Sequence, residues 1–575
     1  MFYDFKVKIP DVKGKIFHQP RGKITYINYE YDRVYKSDKK YNIPKRTTIG
    51  KLCEDDSEMM YPNPNYLRFF PDAKLPETSS RAGRSSSLRI GANLVIRKVI
   101  KTYKLDDMIR RIIGSGSGLF LDLISYSIIC ENNAGQYYPD YAYNHPLFTD
   151  GMRIYSDATV SEFLNRHLTE GHAADFVNEW NGSRNREERI YISYDSTNKT
   201  CQAGDIEIVE FGRPKDSSGK PVFNYSIAYD QNNREPLFYE AYPGSIVDVS
   251  QLQCMLGKAE GYGYKNVGFI LDRGYFSKEN IRFMDRCGYD FVIMVKGTKA
   301  LVNRLIEERR GTFEESRHHS IRGYSVNGVT VKSRLFPSDE RERFFHIYHS
   351  SEKYTFERTA LEARINRMAE YLHKQEGKPV KIDKSFEQYF ELFYHNEGKK
   401  NETFMFGKEK TDVVEREIRL CGYFAIITSE EMTAAEALTL YKSRDGTEKL
   451  FRGDKSYLGN RSLRVQSDES IDAKIFIEFV ALIVRNKIYT CLKDEMEEIG
   501  KKPNYMTVPA ALKELEKIEM VRLPDGVYRL DHAVTATQKT ILKAFGIDAG
   551  YVKNKAKEIS TELALGKREK NCLSR

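Results

Sequence analysis

Residues 266–272 read NVGFILD, a run that is apolar at odd and even positions alike and closes on an acid. A strand of this kind needs cover on both faces. That is the condition of an inner strand in a parallel or mixed sheet with helices above and below, and it points to an α/β fold. The flanking chain continues the theme. Residues 188–195 (ERIYISYD), 223–230 (FNYSIAYD) and 236–244 (PLFYEAYPG) read as strands, 249–263 as a helix, 277–288 (SKENIRFMDRCG) as a helix and 290–297 (DFVIMVKG) as another strand.

The pattern then lapses over residues 300–420, which mix short strand-like pieces with a long charged helix and read as a mostly β inserted domain. It resumes with the strand GYFAIITS at 422–429. The segment TAAEALTLYKSRDGTEKLFRG (433–453) follows as one helix, opened by Thr433 and Glu436 as a capping box. At ~100° per residue, Tyr441, Arg444, Glu448 and Lys455 fall on one narrow stripe of that helix. Gly446 and Gly453 each cost the helix ~1 kcal/mol relative to Ala, so packing must hold it.

Around this core lie a basic, β-rich module at residues 1–60, a helical region at 61–185 and a helical, basic end at 501–575. The core itself divides into 186–299 and 421–500. Residues 1–50 carry 12 Lys/Arg against 5 Asp/Glu, and residues 541–575 carry 8 against 4, out of a formal net charge of +9. Basic ends on a nearly neutral body suit a polyanionic partner, most simply nucleic acid. Aromatics alternate with cations in KITYINYEYDRVYK (23–36), a pattern that serves either DNA contact or a β core. The helical region is the better fit for reading a major groove.

No apolar leader opens the chain, and the most apolar run, IFIEFVALIV (475–484), carries Glu478 and reads as a buried helix. The eight cysteines stand singly, without zinc spacing, as reduced thiols do. These features imply a soluble cytoplasmic protein with no membrane partner. GSGSG at 114–118 lacks the Lys-Ser/Thr ending of a phosphate-binding loop and reads as a turn.

Three strands, helix, strand, helix, strand is the order of an RNase H-like sheet. In that topology Asp195, at the end of the first strand, and Asp272, at the end of the fourth, are neighbours, and a later helix brings Glu448 beside them. Convergent carboxylates repel unless a cation sits among them, and hard oxygen donors suit Mg²⁺ or Mn²⁺. Two such ions can activate a hydroxyl on one side of a phosphodiester and stabilise the leaving oxygen on the other. Arg444 and Lys455 can grip phosphates, and Tyr441 can donate a hydrogen bond to, or pack against, the DNA backbone.

Tyr-x2-Arg-x3-Glu-x6-Lys, met by Tyr441, Arg444, Glu448 and Lys455, resembles the signature of a subgroup of DDE transposases of bacterial insertion sequences. DSTN at Asp195 and LDRGYFSKEN around Asp272 are similar to that subgroup's first and second acid motifs. The resemblance implies a multidomain α/β protein: an RNase H-like core split by an insertion and preceded by a β-rich module and a helical DNA-binding domain. It implies Asp195, Asp272 and Glu448 as ligands of two Mg²⁺ or Mn²⁺ ions. It also implies a homodimer holding two inverted-repeat DNA ends in a synaptic complex, and cut-and-paste transfer to target DNA through hairpin ends. Some relatives stack a flipped base on a Trp in the insertion; here the single Trp, Trp180, precedes the first acid, and Phe344, Phe345 or Tyr348 would have to serve. Two other readings share the residues: a DNA-binding protein without cleavage, and a nuclease that cuts without joining.

Overall fold

The computed structural model describes the 575-residue chain except residues 1, 23, 37–40, 74–82, 186, 202–205, 212–219, 247, 296–298, 397, 399–401, 466, 503–504 and 574–575. The final residues of the strand expected at 290–297 lie outside the described residues. The chain divides into two compact units: Val177–Arg452, and Met1–Phe176 with Gly453–Arg575.

In the Val177–Arg452 unit, β1 (Ile190–Cys201), β2 (Val222–Asp230) and β3 (Glu235–Pro243) form an antiparallel meander. Helix α1 (Asp248–Gly261) leads into β4 (Val267–Leu271), and α2 (Lys278–Cys287) leads into β5 (Asp290–Met294). All five residues of β4 are buried, and β4 runs parallel to β1 on one side and β5 on the other. The order β3-β2-β1-β4-β5 follows. Helix α2 starts on the Ser277 side chain, which accepts the Asn280 N–H, and stops at Gly288 with φ +69°, a left-handed position that favours glycine.

The stretch expected to form a mostly β insertion, residues 300–420, is not mostly β. Its strands β6 (Val326–Arg334) and β7 (Glu342–His349) join the main sheet. The rest is largely helical: Lys299–Arg309, α3 (Ser351–Gln375) and α4 (Thr411–Leu420), with only the short hairpin β8 (Phe390–His395) and β9 (Thr403–Glu409). Ile365, Met368, Leu372, Tyr389, Phe390 and Phe404 give these helices and the hairpin a core of their own. The resumed strand β10 (Tyr423–Thr428) explains the placement of β7: it pairs antiparallel with β5 on one side and with β7 on the other. The FFHIY run of β7 is covered on both faces, with Phe345, His346, Ile347 and Tyr348 fully buried, as befits an inner strand.

In the other unit, the N-terminal strands form a five-stranded antiparallel sheet in which Ile24–Lys36 and Tyr41–Leu52 are the longest pair. A three-stranded sheet joins Ser87–Arg89 to Glu519–Arg522 and Tyr528–Leu530. Residues 453–500, expected to continue the core, cluster instead with this unit. The reason is the helix Asp468–Glu498, buried along most of its length, with Phe476 against Phe120 and Phe176 at ring distances of 4.7 and 5.4 Å. The run 475–484 is thus a buried helix, as its sequence indicates. The helical stretch Leu105–Cys130 has the length and composition to cross a membrane, yet more than half of its apolar window is buried. A 3₁₀ turn at Gly114–Gly116, where GSGSG lies, interrupts it. The described cysteines are free thiols.

Within that stretch Asp122 is fully buried and accepts the Phe148 N–H at 2.7 Å and the Thr149 N–H at 3.4 Å. Burial pushes its carboxyl up to about 7, against the pull of those N–H groups and of Arg97. The folded chain therefore holds this proton more tightly than the unfolded chain, whose Asp titrates near ~4. Stability is greatest below about pH 4 with respect to this group and falls as pH rises toward 7. Denaturant melts at about pH 5 and pH 7 should show that loss, on the order of 2–3 kcal/mol at ~1.4 kcal/mol per pKa unit, and Asp122→Asn should flatten it.

Candidate active site

Leu271 of β4 lies opposite Tyr194 of β1 in parallel register. The next residue on each chain is an acid, so Asp272 and Asp195 are neighbours, about 4.8 Å apart along the hydrogen-bonding direction, and share a face. At Asp272 the strand ends: its carboxylate accepts the Arg273 N–H at 2.8 Å and caps the 3₁₀ turn Arg273–Tyr275. Asp195 does not end its strand, contrary to the sequence expectation, because β1 runs on to Cys201 through Ser-Thr-Asn, paired with β2. It sits instead where its parallel neighbour stops, with Oδ1 accepting the Ser196 N–H at 2.9 Å.

The segment carrying the third acid is two helices, not one. Helix α5 (Ala434–Lys442) opens on the expected capping box of Thr433 and Glu436. Helix α6 (Asp445–Tyr457) follows after a tight turn at Ser443 and Arg444. There the Arg444, Gly446 and Thr447 N–H groups bond to carbonyls three residues back, at 3.3, 2.9 and 2.9 Å, rather than four. The Ser443 hydroxyl donates to the Leu440 carbonyl at 2.6 Å, a local bond that competes with helix propagation. Packing holds α5 on the sheet: Ala434, Leu438 and Tyr441 are buried with Ile270, Val292, Val326, Tyr348 and Ile426.

A buried hydroxyl pair fixes the start of α6. The Thr447 hydroxyl hydrogen-bonds Ser193 Oγ, which accepts from Gln231 Nε2 at 2.6 Å, and both hydroxyl residues are fully buried. Ser193 is two residues from Asp195, hence on the same face of β1, and Thr447 precedes Glu448. This contact ties the third acid's helix to the first acid's strand. Gly446 has a reason here too: a Cβ would stand 3.3 Å from the Tyr229 ring of β2.

Arg444 joins the acids. Its guanidinium reaches Glu448 Oε1 at 2.8 Å and Asp272 Oδ1 at 3.5 Å, while the Tyr441 hydroxyl donates to Asp272 Oδ1 at 3.3 Å. Arg444 is largely buried, 14% exposed, whereas the Glu448 side chain is 50% exposed. Burial works against its charge, but Tyr441, Asp272, Asp195 and Glu448 together outweigh that and raise its pKa. All three carboxylates thus act on one guanidinium. The Tyr441 phenol, buried and beside Asp272, is pushed well above its ordinary value and stays protonated.

Five of the six residues singled out in the sequence are therefore brought together: Asp195, Asp272, Glu448, Tyr441 and Arg444. Lys455 lies two turns beyond Glu448 on α6, in the part of the helix that belongs to the other unit. The three acids offer oxygen donors only, the set that hard divalent cations take. Among the described residues no three His, Cys, Asp or Glu side chains enclose a point where an ion could sit as they stand. Arg444 is the cation between Asp272 and Glu448. Phe345 and Tyr348 are fully buried in the sheet and Phe344 is half-buried beneath Lys332, so none of the three presents a free ring. Trp180 is a packing residue, its indole N–H donating to the Pro236 carbonyl at 2.9 Å.

The profile of the transposase DDE domain family matches residues 189–484, from the start of the sheet, past the helix that carries Glu448 and into the helix Asp468–Glu498. The chain belongs to the transposase DDE domain family. No curated protein matches it. Among solved structures this family member is similar to the cryo-EM structure of the piggyBac transposase synaptic complex with hairpin DNA. That likeness has a TM-score of 0.31 and 7% sequence identity, and it covers 71% of this chain and 65% of that one.

The acids and the stripe were visible in the sequence; the Ser193–Thr447–Gln231 network was not. Its one sequence signal is parity, a Ser two positions before the first acid. Thr447→Val keeps the shape but removes the hydroxyl, leaving Ser193 short of a partner at a cost of about 1–2 kcal/mol. If the pair positions Glu448, DNA-strand cleavage by Thr447→Val should fall about tenfold or more in single-turnover assays, and Thr447→Ser should restore most of it. Equal impairment of both variants would assign the effect to packing rather than to the hydroxyl.

Proposed function

We propose that this chain is a DNA transposase of the bacterial insertion-sequence type whose active site is formed by Asp195, Asp272 and Glu448. The observation that carries the reading is the register of β1 and β4, which sets two acids side by side, with Arg444 joining the third to them. The sheet order supports an RNase H-like core, and the Tyr441, Arg444, Glu448, Lys455 spacing supports the subgroup named for it. Asp195, Asp272 and Glu448 would hold Mg²⁺ or Mn²⁺. Bound there, two such ions supply Lewis-acid activation of a water or sugar hydroxyl and stabilise the departing oxygen of the phosphodiester.

The chain's own side chains supply orientation and charge. Tyr441 fixes one oxygen of Asp272, leaving the other for a ligand. Arg444, held by two carboxylates, is preorganised to take up a phosphate as a two-pronged donor, and Lys455 adds a point charge farther along the same helix. The partners in this reading are the two inverted-repeat ends of the element and target DNA, bound by a homodimer in the bacterial cytoplasm. Its finer form is cut-and-paste transfer through hairpin ends.

The test is incubation of the purified protein with linear DNA carrying its element's terminus and flank, in Mg²⁺, Mn²⁺ or EDTA, with products sized on a denaturing gel. Cuts at the element boundary that require the divalent ion, together with joined products, support transposition. Cuts without joining would make the protein a nuclease. DNA bound but intact in every buffer would leave a binding protein.

A further inference from the structure

The alternating aromatics and cations of residues 23–36 serve either DNA contact or a β core, and the structure separates the two uses along the strand. Ile24–Tyr29 pairs with the neighbouring strand Ile16–Arg21, and Gly50–Leu52 pairs with Met60–Pro62, so this half of the hairpin lies within the five-stranded sheet over Ile27, Ile49 and Met60. Beyond Glu30 the two strands pair with each other, from Asp32↔Lys45 to Lys36↔Tyr41. Every residue from Tyr31 to Lys36 is exposed, as are Tyr41, Asn42 and Pro44–Arg46. The hairpin thus ends in a two-stranded arm with solvent on both faces, about 17–20 Å long at ~3.4 Å per residue.

An arm of this kind has little to stabilise it by itself, since a lone two-stranded ribbon is marginal in water. Yet it displays large rings: Tyr35 is 61% and Tyr41 54% exposed. Its base is braced. Buried Glu30 accepts from Arg33 Nε at 2.6 Å and from Arg46 Nε at 3.0 Å, and the Arg46 guanidinium lies over the Phe17 ring at 3.7 Å. Farther out, Lys45 pairs with Asp32 at 3.4 Å. From Glu30 to Arg46 the described charges are Arg33, Lys36, Lys45 and Arg46 against Glu30 and Asp32, a net of +2.

We propose that this arm is a DNA-contacting element, laid along a groove of the duplex with Lys36 and Lys45 on phosphates and the Tyr35 and Tyr41 rings against the sugar–phosphate wall. The major groove of B-DNA admits a two-stranded ribbon of this width. The net positive charge matches the phosphates, and residues 1–50 around it carry 12 Lys/Arg against 5 Asp/Glu. Docking of another protein strand on the arm's edge is disfavoured by Pro44, which offers no N–H, and by the neighbouring lysine. The inference rests on the reading of the chain as a DNA-processing protein and names a surface that this reading had not assigned.

The experiment is fluorescence-anisotropy binding of the full chain to a short labelled duplex over a series of KCl concentrations, without divalent ions. Three proteins are compared: the unsubstituted chain, Lys36→Ala/Lys45→Ala and Tyr35→Ala/Tyr41→Ala. All four side chains are exposed, and unchanged thermal melts confirm the fold. Loss of two phosphate contacts should weaken binding about tenfold or more and make the log–log salt dependence shallower by about 1–2. The tyrosine variant should bind more weakly with its salt slope unchanged. If the unsubstituted chain binds and both variants bind equally well, the arm proposal is overturned and the DNA reading stands. If the unsubstituted chain binds no duplex, both fall. Unchanged DNA binding with a lower mass by light scattering would make the arm a contact between copies of the chain and overturn the proposal.

Discussion

Asp195→Asn, Asp272→Asn and Glu448→Gln should each reduce DNA-strand cleavage by about three orders of magnitude or more while leaving duplex binding nearly unchanged. Each substitution is close to isosteric but replaces an anionic oxygen donor by an amide, and a phosphoryl-transfer site depends on the charge it holds at the reacting phosphate. Binding survives because affinity for DNA comes from cations spread over the surface, and removing one carboxylate removes only repulsion. The fold survives as well. Asp272 and Glu448 are partly exposed and their pairs with Arg444 contribute at most about 1 kcal/mol each after solvent screening. Parallel gel-shift, melting and cleavage measurements check the three parts. A variant that melts normally and loses binding instead of cleavage would remove its residue from the proposed catalytic group.

Tyr348→Ala should destabilise the Val177–Arg452 unit by about 3–5 kcal/mol, the range for deleting a buried aromatic side chain. Tyr348 is fully buried near the end of β7. Its ring stacks on Phe424 at 4.9 Å, and its hydroxyl donates to the Ala434 carbonyl at 2.8 Å, at the first turn of α5. The cavity would open beneath the helix that carries Tyr441. Tyr348→Phe, which keeps the ring and leaves the carbonyl short of one donor, should cost only about 1–2 kcal/mol. A denaturant melt of both variants separates this structural role from the base-stacking role its position in the chain invites. Were Tyr348 to hold a flipped base, Tyr348→Ala would melt normally and lose only hairpin formation.

These two predictions also mark what the sequence made legible. The β4 run, apolar on both faces and closed by Asp272, identified the inner strand and one acid, because burial of a parallel strand leaves a local signature. Glu448 and its companions were visible through helical spacing. The turn at Ser443 and Arg444 was not, since the spacing is nearly the same with or without it, and only the Ser443 side-chain bond and the approach of Gly446 to Tyr229 decide the matter. In sequence Asp195 reads as the end of the strand ERIYISYD. Pairing with residues near 225, distant in the chain, keeps it in a strand. The same long-range pairing hid the main-sheet role of β6 and β7, whose partner β10 lies over seventy residues beyond β7. Lys455, legible as part of the stripe, sits where the chain passes into the other unit.

We propose that Asp195, Asp272 and Glu448 act as one cation-holding site, whose cation in the structure as it stands is the Arg444 guanidinium. The most direct measurement is calorimetric titration of Mn²⁺ into the protein bound to its terminal duplex, for the unsubstituted chain and for Asp195→Asn, Asp272→Asn and Glu448→Gln. The expected result is saturable binding in the unsubstituted chain that each of the three substitutions weakens about tenfold or more, and that a control at the surface residue Glu431 leaves alone. Binding of equal strength in all the proteins, or none in the unsubstituted complex, would contradict it.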